Sequence, residues 1–150
     1  MPGFLPDSSC IIAAVSSWHG DHATAVAEIE RRLGRRESMV LAAHALMEAY
    51  AVLTRMPSPY RLSGPDALTL LEVNFVRGRR LVALGPSGYL DVVRRAARDV
   101  VVGGRVYDAL IGECAVSARV KTILTFNEDH FVSFRDRGLE VVVPSGRTRS

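Results

Sequence analysis

Five short apolar runs, separated by longer stretches of helical period, constrain this chain more than any other feature. Residues 3–6 (GFLP), 38–42 (SMVLA), 81–85 (LVALG), 122–126 (TILTF) and 139–143 (LEVVV) read as strands. Between them the apolar spacing is helical over 8–17, 21–33, 44–55, 65–77, 87–99 and 106–119, with a short helix or turn at 128–134. Strands that alternate with helices imply βαβ units, hence an α/β fold with a mainly parallel sheet flanked by helices. The 150 residues suit one domain, 1–143, followed by a polar tail at 144–150. Ser8 or Ser9 is expected to cap the first helix, and Pro65 to sit in the first turn of the fourth.

Four acids stand just beyond these runs. Asp7 follows GFLP, Glu48 comes soon after the second strand, Asp108 follows VVVGGRVY, and Asp129 lies beyond TILTF. In an open parallel sheet, ligands bind at the carboxyl ends of the strands. Carboxylates gathered there repel one another unless a cation sits between them. A divalent-metal site and metal-assisted hydrolysis are therefore expected.

Each acid also has a plainer reading. Asp7 could cap a helix, although the two serines beside it could do so and leave its carboxylate free. Asp108 at a helix start gains from the helix dipole with no function at all, and a helical Glu such as Glu48 is ordinarily solvated. Yet both lie among apolar neighbours, where an unmet carboxylate is costly. Thr125, Asn127 and Asp129 alternate, so an extended segment would send them to one side.

Composition narrows the setting. Hydrophobic residues make up 48% and charged residues 23%, which excludes a disordered chain. A net charge of +3 permits a polyanionic partner without requiring one. Of the 19 basic residues only Lys121 is lysine, and arginine's planar fork suits phosphate. Cys10 and Cys114 read as small buried hydrophobes in a reducing compartment rather than as a disulfide or metal pair. No signal-peptide pattern or bilayer-length apolar run is visible, so a cytoplasmic location is expected, with no membrane contact. Gly103-Gly104 lacks the further glycine and lysine of a phosphate-binding loop. His19 and His22 could share a helix face, but zinc needs more ligands than these two. His130 beside the acids reads as a loop-packing residue or a substrate contact. Glu28, Glu30, Arg31 and Arg32 read as a solvated helix face, and Trp18 and Phe75 as core or dimer-interface residues.

Asp7-Ser8-Ser9, HALMEAYAVLTRMPSP with Glu48, GGRVYDALIGECA with Asp108, and ILTFNEDHF before the LEVVVP strand occur in that order. With this set the chain resembles the PIN-domain ribonucleases, and among them the VapC-type toxins of bacterial toxin–antitoxin pairs. The resemblance runs from about residue 3 to residue 143. It implies a PIN-like three-layer sandwich, usually a homodimer, whose carboxylate pocket holds Mg²⁺ or Mn²⁺ and cuts RNA. It also implies a small VapB-type antitoxin as partner.

By motif, Asp7, Glu48 and Asp108 match the family's first three acids, Ser9 the small hydroxyl after the first, and Thr125 the hydroxyl ending the fourth strand. Many members have an acid where this chain has Asn127; the amide can coordinate through its oxygen or help position the site, an acid stands two residues on at Asp129, and the fourth position stays open between the two. Pro6 before the first acid is also unusual. Asp7 and Asp108 are the expected direct ligands, with Glu48 and Asp129 acting directly or through water. Ser9 and Thr125 are expected to orient metal-bound waters, and Arg105 and Arg119 to offset the acidic pocket. Two rivals remain: a PIN-fold interaction module without catalysis, and a phosphatase or receiver-like protein. The second is disfavoured because Ser9 stands where such phosphatases want a second acid and Lys121 precedes TILTF.

Overall fold

The computed structural model describes residues 2–145. Five strands, β1 (Gly3–Pro6), β2 (Ser38–Ala42), β3 (Arg80–Val82), β4 (Thr122–Leu124) and β5 (Glu140–Val142), form one wholly parallel sheet in the order β3-β2-β1-β4-β5. Six helices connect them: α1 (Ser8–Val15), α2 (His22–Gly34), α3 (Ala43–Arg55), α4 (Gly64–Leu71), α5 (Pro86–Arg98) and α6 (Arg105–Ser117). The chain crosses the sheet in one direction through β1, β2 and β3, then resumes on the far side of β1 at β4. Right-handed connections therefore put α1–α4 on one face and α5–α6 on the other. The expected α/β sandwich is the observed one.

The three inner strands carry the core. Phe4, Leu5, Leu41, Ile123 and Leu124 are fully buried, with Ile11, Ile111 and Phe131 packed over them. Strands covered on both faces read as continuous apolar runs, which is why they were visible in the sequence. Cys10 and Cys114 are both buried and free, as expected. No helix among the described residues is long and apolar enough to cross a membrane.

Pro6 lies in the central strand, where a missing N–H normally breaks a ladder. The neighbouring Asp7 N–H donates to Leu124 O on β4, so by strand alternation the amide Pro6 lacks would face β2. The ladder to β2 has already ended at Phe4–Met39, whereas that to β4 runs on to Pro6–Leu124. The proline costs no registered bond.

Some elements differ from expectation. The helix expected to reach Arg77 is α-helical only to Leu71 and continues as a π turn over Glu72–Val76. The Asn74 side chain donates to Leu70 O, the carbonyl its own backbone N–H would use in an α-helix, so the ladder widens there. β3 stops at Val82 because its partner β2 ends at Ala42. The supposed solvated face of α2 is an ion-pair network: Glu28 and Arg32 are buried, and Arg32 bridges Glu28 (2.8 Å) and Glu37 (2.9 Å) beside the Phe4 ring. Of the expected tail, Pro144 is buried and Ser145 exposed, and 146–150 lie outside the described residues.

Candidate active site

The turn from β1 into α1 and the end of β4 meet at the point where the strand order reverses, the usual place for a ligand in an open α/β sheet. Asp7 sits there, fully buried. Its Oδ1 accepts the Ser9 hydroxyl at 2.6 Å and the Cys10 N–H at 3.0 Å, and its Oδ2 accepts the Thr125 hydroxyl at 2.6 Å. Asp7 is thus itself the cap of α1, and its carboxylate is not left free by the serines. Ser9 and Thr125 are held in turn. Ser9 Oγ accepts the Phe126 N–H at 3.0 Å and Thr125 Oγ1 the Asn127 N–H at 2.8 Å. These hydroxyls therefore orient the carboxylate itself, rather than the waters expected of them, and they relay the turn after β4 onto it.

Burial pushes the Asp7 carboxyl up to about 6; the three hydrogen bonds oppose the shift, and the Asp108 charge adds to it. Glu48, one turn into α3, is likewise raised to about 7, by burial first and then by the charges of Asp108 and Asp7. Asp7, Glu48 and Asp108 thus act on one another electrostatically. Glu48 Oε1 lies 3.0 Å from His44 Nε2, out of line for a hydrogen bond, and neither buried atom has another partner among the described residues. Burial holds the His44 imidazole below its usual value, against the pull of Asp108. Its ring stacks on Tyr107 at 4.8 Å.

Asp108, in the first turn of α6, has Oδ2 2.6 Å from His130 Nδ1. An ionised carboxylate only accepts, so Nδ1 carries the proton. His130 therefore orients an acid and is more than loop packing. His44, whose role the sequence did not suggest, became visible only once α3 was placed beside α6. Its one signal was the i, i+4 spacing to Glu48.

Asp129 stands apart. The segment after Thr125 is not extended. It enters a 3-10 turn over Glu128–His130, so the alternation of Thr125, Asn127 and Asp129 does not align them. Asp129 is exposed and borders a neighbouring cleft of about 730 Å³ with Arg95, Arg98, Arg105 and Arg137. It is not among the charges that raise Asp7 or Glu48. The Asn127 side chain is exposed. Arg105 donates to Asp129 O at 3.4 Å and lines that cleft, but it is not among the charges acting on Asp7 or Glu48, where Arg55 is the cation that pulls Glu48 down. Arg119 lies at the opposite edge of the sheet and cannot offset the acids.

Oxygen-only donors whose mutual repulsion Arg55 offsets only in part, at Glu48, and a buried Glu48 oxygen without a partner among the described residues, suit a hard divalent cation. Among the described residues no three His, Cys, Asp or Glu side chains converge on one ion. The donor set therefore fits an ion held by one or two carboxylates and otherwise by water and substrate, which is the habit of Mg²⁺.

Residues 4–136 match the family described as PIN domain. Ribonuclease VapC40 of Mycobacterium tuberculosis (strain CDC 1551 / Oshkosh) is 35% identical over 118 residues, 79% of this chain and 82% of that one. Ribonuclease VapC27 of M. tuberculosis (strain H37Rv) is 34% identical over 120 residues, 80% and 82%. Among solved structures, M. tuberculosis VapC20, described as a sarcin-ricin loop cleaving toxin, superposes with a TM-score of 0.68 at 14% identity, covering 87% of this chain and 95% of that one. The DNA-bound VapBC of Salmonella typhimurium gives 0.65 at 18%, covering 97% and 100%. At such identities these two structures speak for the fold alone.

Proposed function

The chain belongs to the PIN-domain family, and we propose that it is a Mg²⁺-dependent endoribonuclease, a VapC-type toxin hydrolysing RNA phosphodiesters. The observation that carries this reading is the mutual repulsion of Asp7, Glu48 and Asp108 at the switch point of the sheet. Mg²⁺ or Mn²⁺, when bound, supplies a lowered pKa for water and charge relief at the phosphate. Asp7 and Asp108 would hold it, with Glu48 bonding through water or directly.

The protein's own groups have distinct tasks. Ser9, Thr125 and the Cys10 N–H fix the Asp7 carboxylate, leaving Oδ2 one direction open. His130 fixes Asp108. Glu48, with its raised affinity for a proton, is placed to take one from the attacking water. Asp129 and Asn127 act further out, at the substrate's flank.

A VapB-type antitoxin is the proposed partner in the cytoplasm. Met47 and Tyr107, both exposed and each next to an acid, offer the apolar contact that such a segment would cover while placing a basic side chain among the carboxylates. A homodimer is proposed as the working form.

Expression of wild type and Asp108→Asn from a tightly controlled promoter, with sequencing of the RNA ends that appear, tests the reading. Discrete new ends and growth arrest with wild type alone are expected. Identical RNA from both strains would leave the fold serving as a non-catalytic interaction module.

A further inference from the structure

A cavity of about 600 Å³ opens at the other edge of the sheet, where the strands begin, lined by Gly3, Ser38 and Val120. Four arginines surround it: Arg36 before β2, Arg79 and Arg80 at β3, and Arg119 before β4. All four are exposed. The one acid on its wall, Glu37, is already shared by Arg32 at 2.9 Å and Arg35 at 2.6 Å. Arg80 donates to Ala118 O at 3.5 Å. Arg36, Arg79 and Arg119 have no side-chain hydrogen bond or ion pair among the described residues.

The cleft beside Asp129 is a useful contrast. There Arg95 and Arg137 share Glu113, and Arg98 pairs with Asp99. Most of its positive charge is paired within the protein, Arg105 alone meeting only the Asp129 carbonyl, whereas at the sheet's opposite edge three of the four arginines have no such pairing. Free guanidinium forks converging on one cavity match the oxygens of phosphate better than those of any neutral ligand.

We propose that this arginine-lined cavity is a second nucleic-acid site, gripping backbone phosphates of the RNA well away from the bond that is cut; the proposal rests on the ribonuclease reading above. Four residue steps along β1, about 13 Å, separate its Gly3 wall from Asp7. A folded RNA spans that distance, and a dinucleotide with its single phosphate does not. The cavity would therefore select structured substrates over short single strands.

Arg36 and Arg119 have φ of 63° and 59°, each in the left-handed turn that ends a helix. Glycine is at ease there, so Arg36→Gly/Arg119→Gly removes two charges without straining the fold. Binding of a fluorescent RNA hairpin is measured in EDTA, where nothing is cut, for wild type, this double variant and Arg79→Gln. Thermal unfolding serves as the control. At least a tenfold loss of affinity is expected for the double variant, with the slope of log K against log salt shallower by roughly 1.5, the release expected from two phosphates. In Mg²⁺ its KM for the hairpin should rise about as much, with kcat and dinucleotide cleavage unchanged.

Equal affinity and equal salt slope in folded variants would overturn the proposal, while wild-type cleavage would leave the ribonuclease reading standing. Arginine-dependent binding by a wild-type protein that cuts nothing in Mg²⁺ would keep the site and overturn the nuclease. Arginine-dependent binding of fluorescent poly-glutamate by a protein that binds no hairpin would make the cavity a seat for an acidic protein segment and overturn the assignment to RNA.

Discussion

The Thr125 hydroxyl donates to Asp7 Oδ2 at 2.6 Å, tying the carboxyl ends of β4 and β1 together across 118 residues of chain. Thr125→Val keeps the shape and removes the donor. It leaves a buried carboxylate oxygen and the Asn127 N–H unpaired. Leaving buried groups unsatisfied costs about 1–3 kcal/mol, so urea unfolding should begin at visibly lower concentration, and RNA cleavage should fall at least tenfold. Thr125→Ser, which restores the hydroxyl, should recover most of both. An unchanged midpoint for the valine variant would mean that the bond contributes nothing.

The acids also set a pH dependence for the metal-free protein. Asp7 rises on folding from 3.8 to about 6 and Glu48 from 4.5 to about 7, burial being the first cause of each. Between those values the folded chain binds more protons than the unfolded one, so stability falls as pH rises. For Asp7 the loss is about 3 kcal/mol. Glu28, whose carboxyl is lowered by Arg31 and Arg32 against its burial, works in the opposite sense but below pH 4.5. His44, held below its usual 6.5 by burial, opposes the fall just under pH 6.5 and makes it shallower than the two acids alone would. Melting in EDTA should therefore drop from pH 4.5 to about 7, and Mg²⁺ should flatten the decline. Asp7→Asn should melt higher than wild type near pH 7 while losing cleavage at least a hundredfold. A metal-free melting temperature that climbs across the same interval would contradict the account.

Much of this was legible in the sequence, for identifiable reasons. The strands are apolar on both faces, so they stood out, and Asp7, Glu48 and Asp108 each follow a strand or open a helix. Hydrogen-bond direction was not legible. Asp7 competed with two serines for one cap position, and only the fold shows that it wins because Ser9 is occupied with the Phe126 N–H. Asp129 was placed by strand periodicity applied to a segment that in fact turns. Arg119 was grouped with the acids because the helical period runs over 106–119 and so includes Asp108, yet α6 is 13 residues long and leaves Arg119 in the turn beyond its far end, at the opposite edge of the sheet.

Asp129 offers a direct comparison with Asp108. Asp108 touches His130 and raises both Asp7 and Glu48; Asp129 does neither and faces the arginines of the adjoining cleft. Asp108→Asn should abolish cleavage and Mg²⁺-dependent stabilisation together. Asp129→Asn should keep the Mg²⁺ response, with kcat lowered less than tenfold and any larger effect confined to KM. If the two amides cost the same in kcat and in metal response, Asp129 moves into the metal site when ligand binds.

Gly112 limits how α6 can seat against the turn that carries His130. It is buried in the middle of α6, and a Cβ there would stand 2.2 Å from the Phe134 ring. Phe134 is itself buried and packs on Phe131, the residue after His130. The ring cannot swing into solvent without opening that contact, so Gly112→Ala must displace the segment. Overpacking of this kind costs about 1–3 kcal/mol, more than the gain in helix propensity from glycine to alanine, about 1 kcal/mol. The variant should be less stable than wild type and should also lose cleavage, since a shifted turn pulls His130 off Asp108. Gly112→Ala/Phe134→Leu, which returns the space, should regain both. Lost stability with intact cleavage would separate the packing of Phe134 from the orientation of Asp108.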